Sequence, residues 1–215
     1  MMSETLDQVG QEALAALGQK HGARERALPK SRAAIRLCAN SIRAAHRQEF
    51  ASAERLQQQA ADLLAEMAAD LREHQDIYYA GFVQDAQKEF AEAITFVALV
   101  QGRPLPAAQQ YRLEWSAYLN GLGEAIGELR RYVLDQLRRG NFEDCEPLLR
   151  HMDDIYALLT TIDFPDAITS GLRRTTDSSR GILEKTRGDL TVAVEQEKLR
   201  HAILRLQEAL NRENP

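Results

Sequence analysis

Apolar residues along this chain recur at three- and four-residue intervals, and no stretch alternates apolar with polar as a half-buried strand does. Ala, Leu, Glu, Gln and Arg dominate between the breaks, so the pattern predicts an all-α protein without a sheet. Proline marks the joints: Pro29 precedes one long helical pattern, Pro104 and Pro106 separate two, and Asp163-Phe164-Pro165-Asp166 opens another. The periodicity predicts helices near 29–48, 51–74, 77–102, 108–139, 143–162 and 166–211, the last broken near Gly171, Gly181 or Gly188. Residues 1–25 are expected to be loose or to form a short helix. Arg138-Arg139-Gly140 is a helix stop: two cations face the negative helix end, followed by a glycine able to turn left-handed. Leu199, Ile203, Leu206 and Leu210, spaced 4, 3 and 4, form a narrow seam suited to a partner helix, inside the chain or on another subunit.

Length and composition narrow the class. The 215 residues suffice for one domain spanning 1–215 with a substantial core. Hydrophobic residues make up 44% and charged residues 27%, which excludes collagen, a disordered tail and a disulfide-dense miniprotein. The net charge of −5 argues against nucleic-acid binding by bulk positive charge, so any such binding must be local. Cys38 and Cys145 form no CxxC motif and no Cys/His cluster, and both read as small buried residues. The start of the chain lacks the basic-then-apolar pattern of a signal peptide, and the run Ala93–Val100 is far too short to span a bilayer. A soluble cytoplasmic protein is expected.

The chemistry concentrates in two helices. From Phe90 to Val100 the chain is apolar on nearly every side, as in an enclosed helix, and Glu89 and Glu92 open it one turn apart. Such a pair repels itself unless a cation neutralises it. On the next helix Trp115, Leu119, Leu122, Ile126, Leu129 and Val133 form one stripe, with Glu124 and Glu128 on the opposite side. Gly121, Gly123 and Gly127 each cost about 1 kcal/mol relative to alanine in a helix, which implies a close approach to this backbone. Together the four carboxylates make an ExxE and ExxxE oxygen set suited to Mg²⁺ or Mn²⁺ and to phosphate chemistry; the alternative is two solvated faces. The five histidines are isolated, which excludes a di-iron bundle built on Glu-x-x-His pairs. No Walker loop, GxGxxG or GxSxG is present.

A second feature concerns binding. Arg32, Arg36, Arg43 and Arg47, at offsets 0, 4, 11 and 15, fall within roughly 60° of one helix face and make a basic rail about 22 Å long. That matches a few phosphates of an extended strand, or equally a solvated helix face. Arg173-Arg174, Lys185 and Arg187 are supplementary cations, and the cluster Tyr78-Tyr79-Ala80-Gly81-Phe82 either stacks bases or joins the core.

These residues also carry a resemblance. His74-Gln75-Asp76-Ile77-Tyr78-Tyr79-Ala80-Gly81-Phe82, Asp85-Ala86-Gln87-Lys88-Glu89-Phe90-Ala91-Glu92-Ala93, Tyr118-Leu119-Asn120-Gly121-Leu122 with Gly127-Glu128-Leu129-Arg130-Arg131, and Asp163-Phe164-Pro165-Asp166-Ala167-Ile168 resemble the translin and translin-associated factor X (TRAX) family, in its bacterial and archaeal single-gene form. The match runs from about Leu71 to Leu190. It implies a bundle of about seven helices whose subunits close into a hollow homo-oligomer, typically an octamer, that encloses RNA. It also implies a catalytic factor X type subunit: a Mg²⁺- or Mn²⁺-dependent endoribonuclease acting on single-stranded RNA, such as short RNA or precursor-tRNA fragments, with single-stranded DNA as a further ligand. The family's acidic positions correspond to Glu89, Glu92, Glu124 and Glu128, the third being an aspartate in the family and a longer glutamate here. Translin's basic RNA-binding stretch at the start of the third helix has no counterpart, since Tyr78–Gln87 contains no Lys or Arg; the rail is the substitute. Asp85, one turn before Glu89, is a candidate to orient water or to complete the metal shell. The rival readings are a non-catalytic translin-like nucleic-acid shell and an all-α nucleoside triphosphate pyrophosphohydrolase, whose ExxE-then-ExxD pattern the four-residue spacing of Glu124 and Glu128 does not match.

Overall fold

A computed structural model describes residues 2–213, and among them every regular element is helical. The order is α1 (Met2–His46), α2 (Phe50–Asp70), a single turn α3 (Gln75–Tyr78), α4 (Gly81–Val100), a 3₁₀ turn (Ala108–Tyr111), α5 (Trp115–Arg139), α6 (Cys145–Thr160), a single turn α7 (Asp166–Thr169) and α8 (Leu172–Glu213). Packing divides the chain into two compact units, one ending at Leu122 and the other starting at Gly123. The division falls inside α5, which runs through it without a break.

In the first unit α4 is the central rod, with Phe90, Ala91 and every residue from Ala93 to Leu99 buried. Helix α1 reaches the core through small residues, among them Ala23, Ala27, Ala34, Cys38, Ala44 and Ala45. Helix α2 adds Ala53, Ala60, Leu64 and Met67. Small faces let helix axes approach, and polar side chains then bridge the elements: Ser41 donates to the Ala53 carbonyl at 3.0 Å, Gln57 to the Ala93 carbonyl at 3.0 Å and Ser31 to the Phe82 carbonyl at 2.7 Å. In the second unit α6 contributes Leu148, Met152, Ile155 and Leu159, and α8 contributes Leu172, Leu183 and Leu190. Arg130 of α5 is tied to α8 by Thr186 at 3.1 Å and Asp189 at 2.7 Å.

Three expectations change. Pro29 does not open a helix but lies inside α1, and residues 2–25, expected to be loose or a short helix, belong to that same long helix. Proline removes one helical hydrogen bond and crowds the preceding turn, a cost of about 3 kcal/mol, yet contacts on both sides hold the rod straight through. Lys30 meets Asp70 at 2.8 Å and Glu66 at 2.9 Å, Lys20 pairs with Asp76, and Ala23 and Ala27 are buried. Next, the segment expected as one helix from 77 is split: α3 ends at Tyr78 and α4 begins at Gly81, after Ala80 in extended conformation. Finally, the helix expected from 108 starts only at Trp115, after the 3₁₀ turn over Ala108–Tyr111, whereas the break expected near Gly171, Gly181 or Gly188 does occur, at the first of these, where Ser170 and Gly171 have φ of 52° and 80° just before α8. Gly181 and Gly188 lie within it. The stop at Gly140 appears as expected, with φ of 78°.

Candidate metal centre and nucleic-acid face

Glu89 and Glu92 sit on successive turns of α4, both half-buried, at the edge of its enclosed stretch. Gln87 anchors the start of α5 to this helix. Fully within the core, it accepts the Glu114 backbone N–H at 2.8 Å and donates to the Tyr78 hydroxyl at 3.1 Å. Gly121 then sets the depth of the contact: a Cβ there would stand 2.6 Å from the Ala91 Cβ, 2.6 Å from the Lys88 carbonyl oxygen and 2.9 Å from the Glu92 nitrogen. No side chain fits, so α5 lies against the α4 backbone at the turn that carries the two glutamates. Glu124 follows on α5 within one turn.

Glu89, Glu92 and Glu124 each offer a carboxylate oxygen, and these atoms lie within 4.8 Å of one another. Glu128 is not part of that group, and its Oε2 is 3.8 Å from Arg131 Nη1. Lys88 Nζ is 3.9 Å from Glu89 Oε1. At an effective dielectric near 20, two of these carboxylates 4.8 Å apart repel by about 3 kcal/mol before solvent and salt screen them. The donor set is all oxygen and all anionic, which suits a hard divalent cation. Oxygens within 4.8 Å of one another are close enough to share a small hard cation, so Glu89, Glu92 and Glu124 are the residues that would hold one. The buried Cys38 thiol of α1 is pushed well above its ordinary value, chiefly by burial and further by the charges of Glu89 and Glu92. The acidic pair therefore acts electrostatically on the middle of α1.

The close approaches expected at the α5 glycines divide. Gly121 receives α4, and Gly123 receives α8, where a Cβ would collide with the Thr175 methyl. Nothing within 4 Å occupies the Cβ position of Gly127. The predicted apolar stripe of α5 is buried except Trp115, which is 56% exposed and meets Tyr118 edge-on at 6.1 Å. As the first helical residue, Trp115 precedes the packed part of the rod.

All four rail arginines are exposed. Arg32 and Arg36 have no ion-pair partner among the described residues, whereas Arg43 donates to Asn40 at 2.6 Å. Arg47 lies beyond the end of α1, in the turn to α2, where Glu49 holds it through two bonds of 2.8 and 2.7 Å. Of the supplementary cations, Arg187 pairs with Asp153 at 2.5 Å and Arg173 with Asp163 at 3.4 Å. Tyr78 is half-buried with its hydroxyl engaged, while Tyr79 is 57% exposed. Asp85 is exposed one turn before Glu89 and is not part of the three-carboxylate group. Two arginines passed over in the sequence, Arg72 and Arg112, line a cleft of about 750 Å³ in the first unit together with Tyr79 and Tyr111. They come from two separate loops, and no local spacing could have paired them.

No family model matches the chain. An uncharacterized protein of Methanocaldococcus jannaschii is 31% identical over 202 residues, spanning 92% of this chain and 88% of that protein. Among solved structures, AfC3PO in complex with duplex RNA superposes with a TM-score of 0.81 at 33% identity, covering 86% of this chain and 96% of that one. A crystal structure of AfC3PO gives 0.80 at 33% identity, covering 86% and 97%. Apo-NeC3PO, at 19% identity and a TM-score of 0.73, covers 87% and 96% and shares the fold.

Proposed function

The chain belongs to the translin and translin-associated factor X family, and on that premise we propose that it is a metal-dependent endoribonuclease that cleaves single-stranded RNA within a closed homo-oligomer, of the octameric kind. The observation that carries this reading is the group of three carboxylates, Glu89, Glu92 and Glu124, on two helices in backbone contact at Gly121. A cluster that only faced solvent would have no reason to exclude every side chain from position 121.

In this reading Glu89, Glu92 and Glu124 hold Mg²⁺ or Mn²⁺, and Glu128, the fourth member of the acidic face, completes its surroundings. A bound divalent ion supplies Lewis-acid polarisation of the scissile phosphodiester and charge for the leaving oxygen. The chain's own contribution is placement. The α4–α5 contact fixes the donors, and the buried rod from Ala93 to Leu99 keeps water away from one side of the site. Arg32, Arg36 and Arg43 guide the phosphate backbone, with Arg47 the weakest contributor because Glu49 already neutralises it. Asp85 orients water. RNA as the ligand class is supported by AfC3PO, which was solved with duplex RNA, and enclosure within an oligomer would restrict cutting to short or flexible strands.

The test is cleavage of a labelled single-stranded RNA beside a panel of nucleoside triphosphates, with Mn²⁺ or with chelator. Metal-dependent fragments that vanish in Glu89→Ala, Glu92→Ala and Glu124→Ala are expected. RNA held but uncut in Mn²⁺, with Glu89→Ala behaving as the parent, would identify a non-catalytic shell. Pyrophosphate release with intact RNA would replace the nuclease by a nucleotide hydrolase.

A further inference from the structure

The cleft of about 750 Å³ in the first unit lies on the other side of α4 from the acidic pair. Gln87 and Phe90 are the α4 residues that line it. At about 100° per residue their mean direction is about 160° from that of Glu89 and Glu92, so the cleft is a site separate from the acidic pair. Its volume falls within the range of small-molecule sites, about 300–1,000 Å³. Along α2 it is bordered by Ala61, Ala65, Ala68 and Ala69, short side chains that leave the space open.

Charges and rings are placed unevenly along it. Arg72, from the turn after α2, and Arg112, from the turn before α5, are exposed and have no ion-pair partner among the described residues, although Glu114 of the same lining stands two positions from Arg112. Arg112 has φ of 54° and ψ of 40°, a left-handed conformation that glycine or asparagine adopts more readily. Strain of this kind is retained where it places a side chain for use. Two aromatic rings are braced beside the arginines: Tyr111 packs edge-on with Phe90 at 5.0 Å, and Tyr79 with Tyr78 at 5.2 Å. Tyr79 is nonetheless 57% exposed. The opposite end is acidic. Asp62, which accepts from Gln58 Nε2 at 2.9 Å, stands about 12 Å along α2 from the helix end that leads to Arg72.

We propose that this cleft binds a nucleoside monophosphate, with the phosphate between Arg72 and Arg112, the base on the ring of Tyr79, and donor groups of the base or sugar directed to Asp62. Two guanidiniums match a phosphate dianion and hold it through charge-assisted hydrogen bonds, and an exposed phenol ring stacks a base of any identity. Asp62 and Glu114 bring the lining to neutrality. They therefore select against inorganic phosphate, which brings them no ring-borne donors, and against a triphosphate, whose added charge finds no further cation. A free nucleotide and the 5′-phosphorylated end of a strand present the same chemistry. The inference is independent of the nuclease reading, because no carboxylate of the metal group lines the cleft.

Equilibrium dialysis of the full chain against labelled nucleoside 5′-monophosphates, in chelator to remove metal-bridged binding, tests it. Saturable binding of a monophosphate is expected, with the unphosphorylated nucleoside and inorganic phosphate weaker by about tenfold or more. Arg72→Gln and Arg112→Gly should each weaken binding by a similar factor, and Tyr79→Ala should weaken it as well. Arg112→Gly keeps the left-handed backbone without strain and should melt no lower than the parent, so its loss of binding cannot come from unfolding. Arg32→Ala, on α1 outside the cleft, should bind as the parent does. Competition by a 5′-phosphorylated dinucleotide on equal terms would support the site and identify a strand end as its ligand; exclusion of the dinucleotide would support it with the free nucleotide. No binding of any monophosphate at millimolar concentration overturns the proposal. So does inorganic phosphate or nucleoside bound as tightly as the nucleotide, or a loss in Arg32→Ala equal to that in Arg72→Gln.

Discussion

Replacing Glu92 by glutamine keeps the shape of the side chain and removes one of three charges whose oxygens lie within 4.8 Å. Two repulsive pairs of about 3 kcal/mol each at an effective dielectric near 20 disappear. Water reaches the group, the Glu89 side chain being 30% exposed, and Lys88 offsets part of the charge, so a net gain of about 1 kcal/mol is expected without metal. For a chain of this length that raises Tm by about 2–4 °C. With Mn²⁺ the order reverses. An ion at a hundred times its Kd stabilises the parent by about 2.7 kcal/mol, or about 5–10 °C, and Glu92→Gln should lose most of that increment. Differential scanning calorimetry of both proteins, in chelator and in Mn²⁺, reads all four values. A variant that melts at or below the parent in chelator and keeps the full Mn²⁺ increment would refute the electrostatic reasoning.

Other tests address the frame around the site. Gly121→Ala must push a methyl into the α4 backbone and should cost about 1–3 kcal/mol, whereas Gly127→Ala, with nothing within 4 Å, should stabilise by up to about 1 kcal/mol; urea denaturation separates the two, and equal effects would contradict the packing described. Burial raises both thiols, Cys145 up to about 11, so at pH 8 both stay protonated and a thiol reagent should react only after denaturant is added. Prompt labelling of either cysteine in the native protein would count against its burial. Arg32→Ala and Arg36→Ala should each weaken single-stranded RNA binding and lower the salt slope by about 0.7, while Arg47→Ala, whose charge Glu49 already balances, should change the slope least in fluorescence anisotropy titrations.

Local patterns read well where local forces decide. The existence of α2, α4, α5 and α6 and the bounds of α6 follow from periodicity, while α4 and α5 start four and seven residues later than the pattern suggests; the Arg138-Arg139-Gly140 stop follows from helix-end electrostatics and a left-handed glycine. Tertiary contacts overrode the same signals elsewhere. Pro29 looked like an entrance, but ion pairs from Lys20 and Lys30 carry α1 through it. Arg47 matched the angular position of the rail, yet the helix ends at His46 and the turn hands its guanidinium to Glu49. The acidic pair was visible as ExxE. The grouping of Glu124 with Glu89 and Glu92 goes with Gly121 lying against Ala91, a contact that no spacing within α5 encodes. Exposure of the Leu199–Leu210 seam was likewise not legible, since a heptad pattern looks the same whichever helix covers it.

The account depends most on three carboxylates sharing one hard cation. Anomalous diffraction at the manganese edge, from crystals soaked in Mn²⁺, tests this directly. A single strong peak within coordination distance of Glu89, Glu92 and Glu124, absent from Glu92→Gln crystals, is the result expected. Side chains that diverge with no density between them, at Mn²⁺ concentrations that support RNA cleavage, would contradict the account.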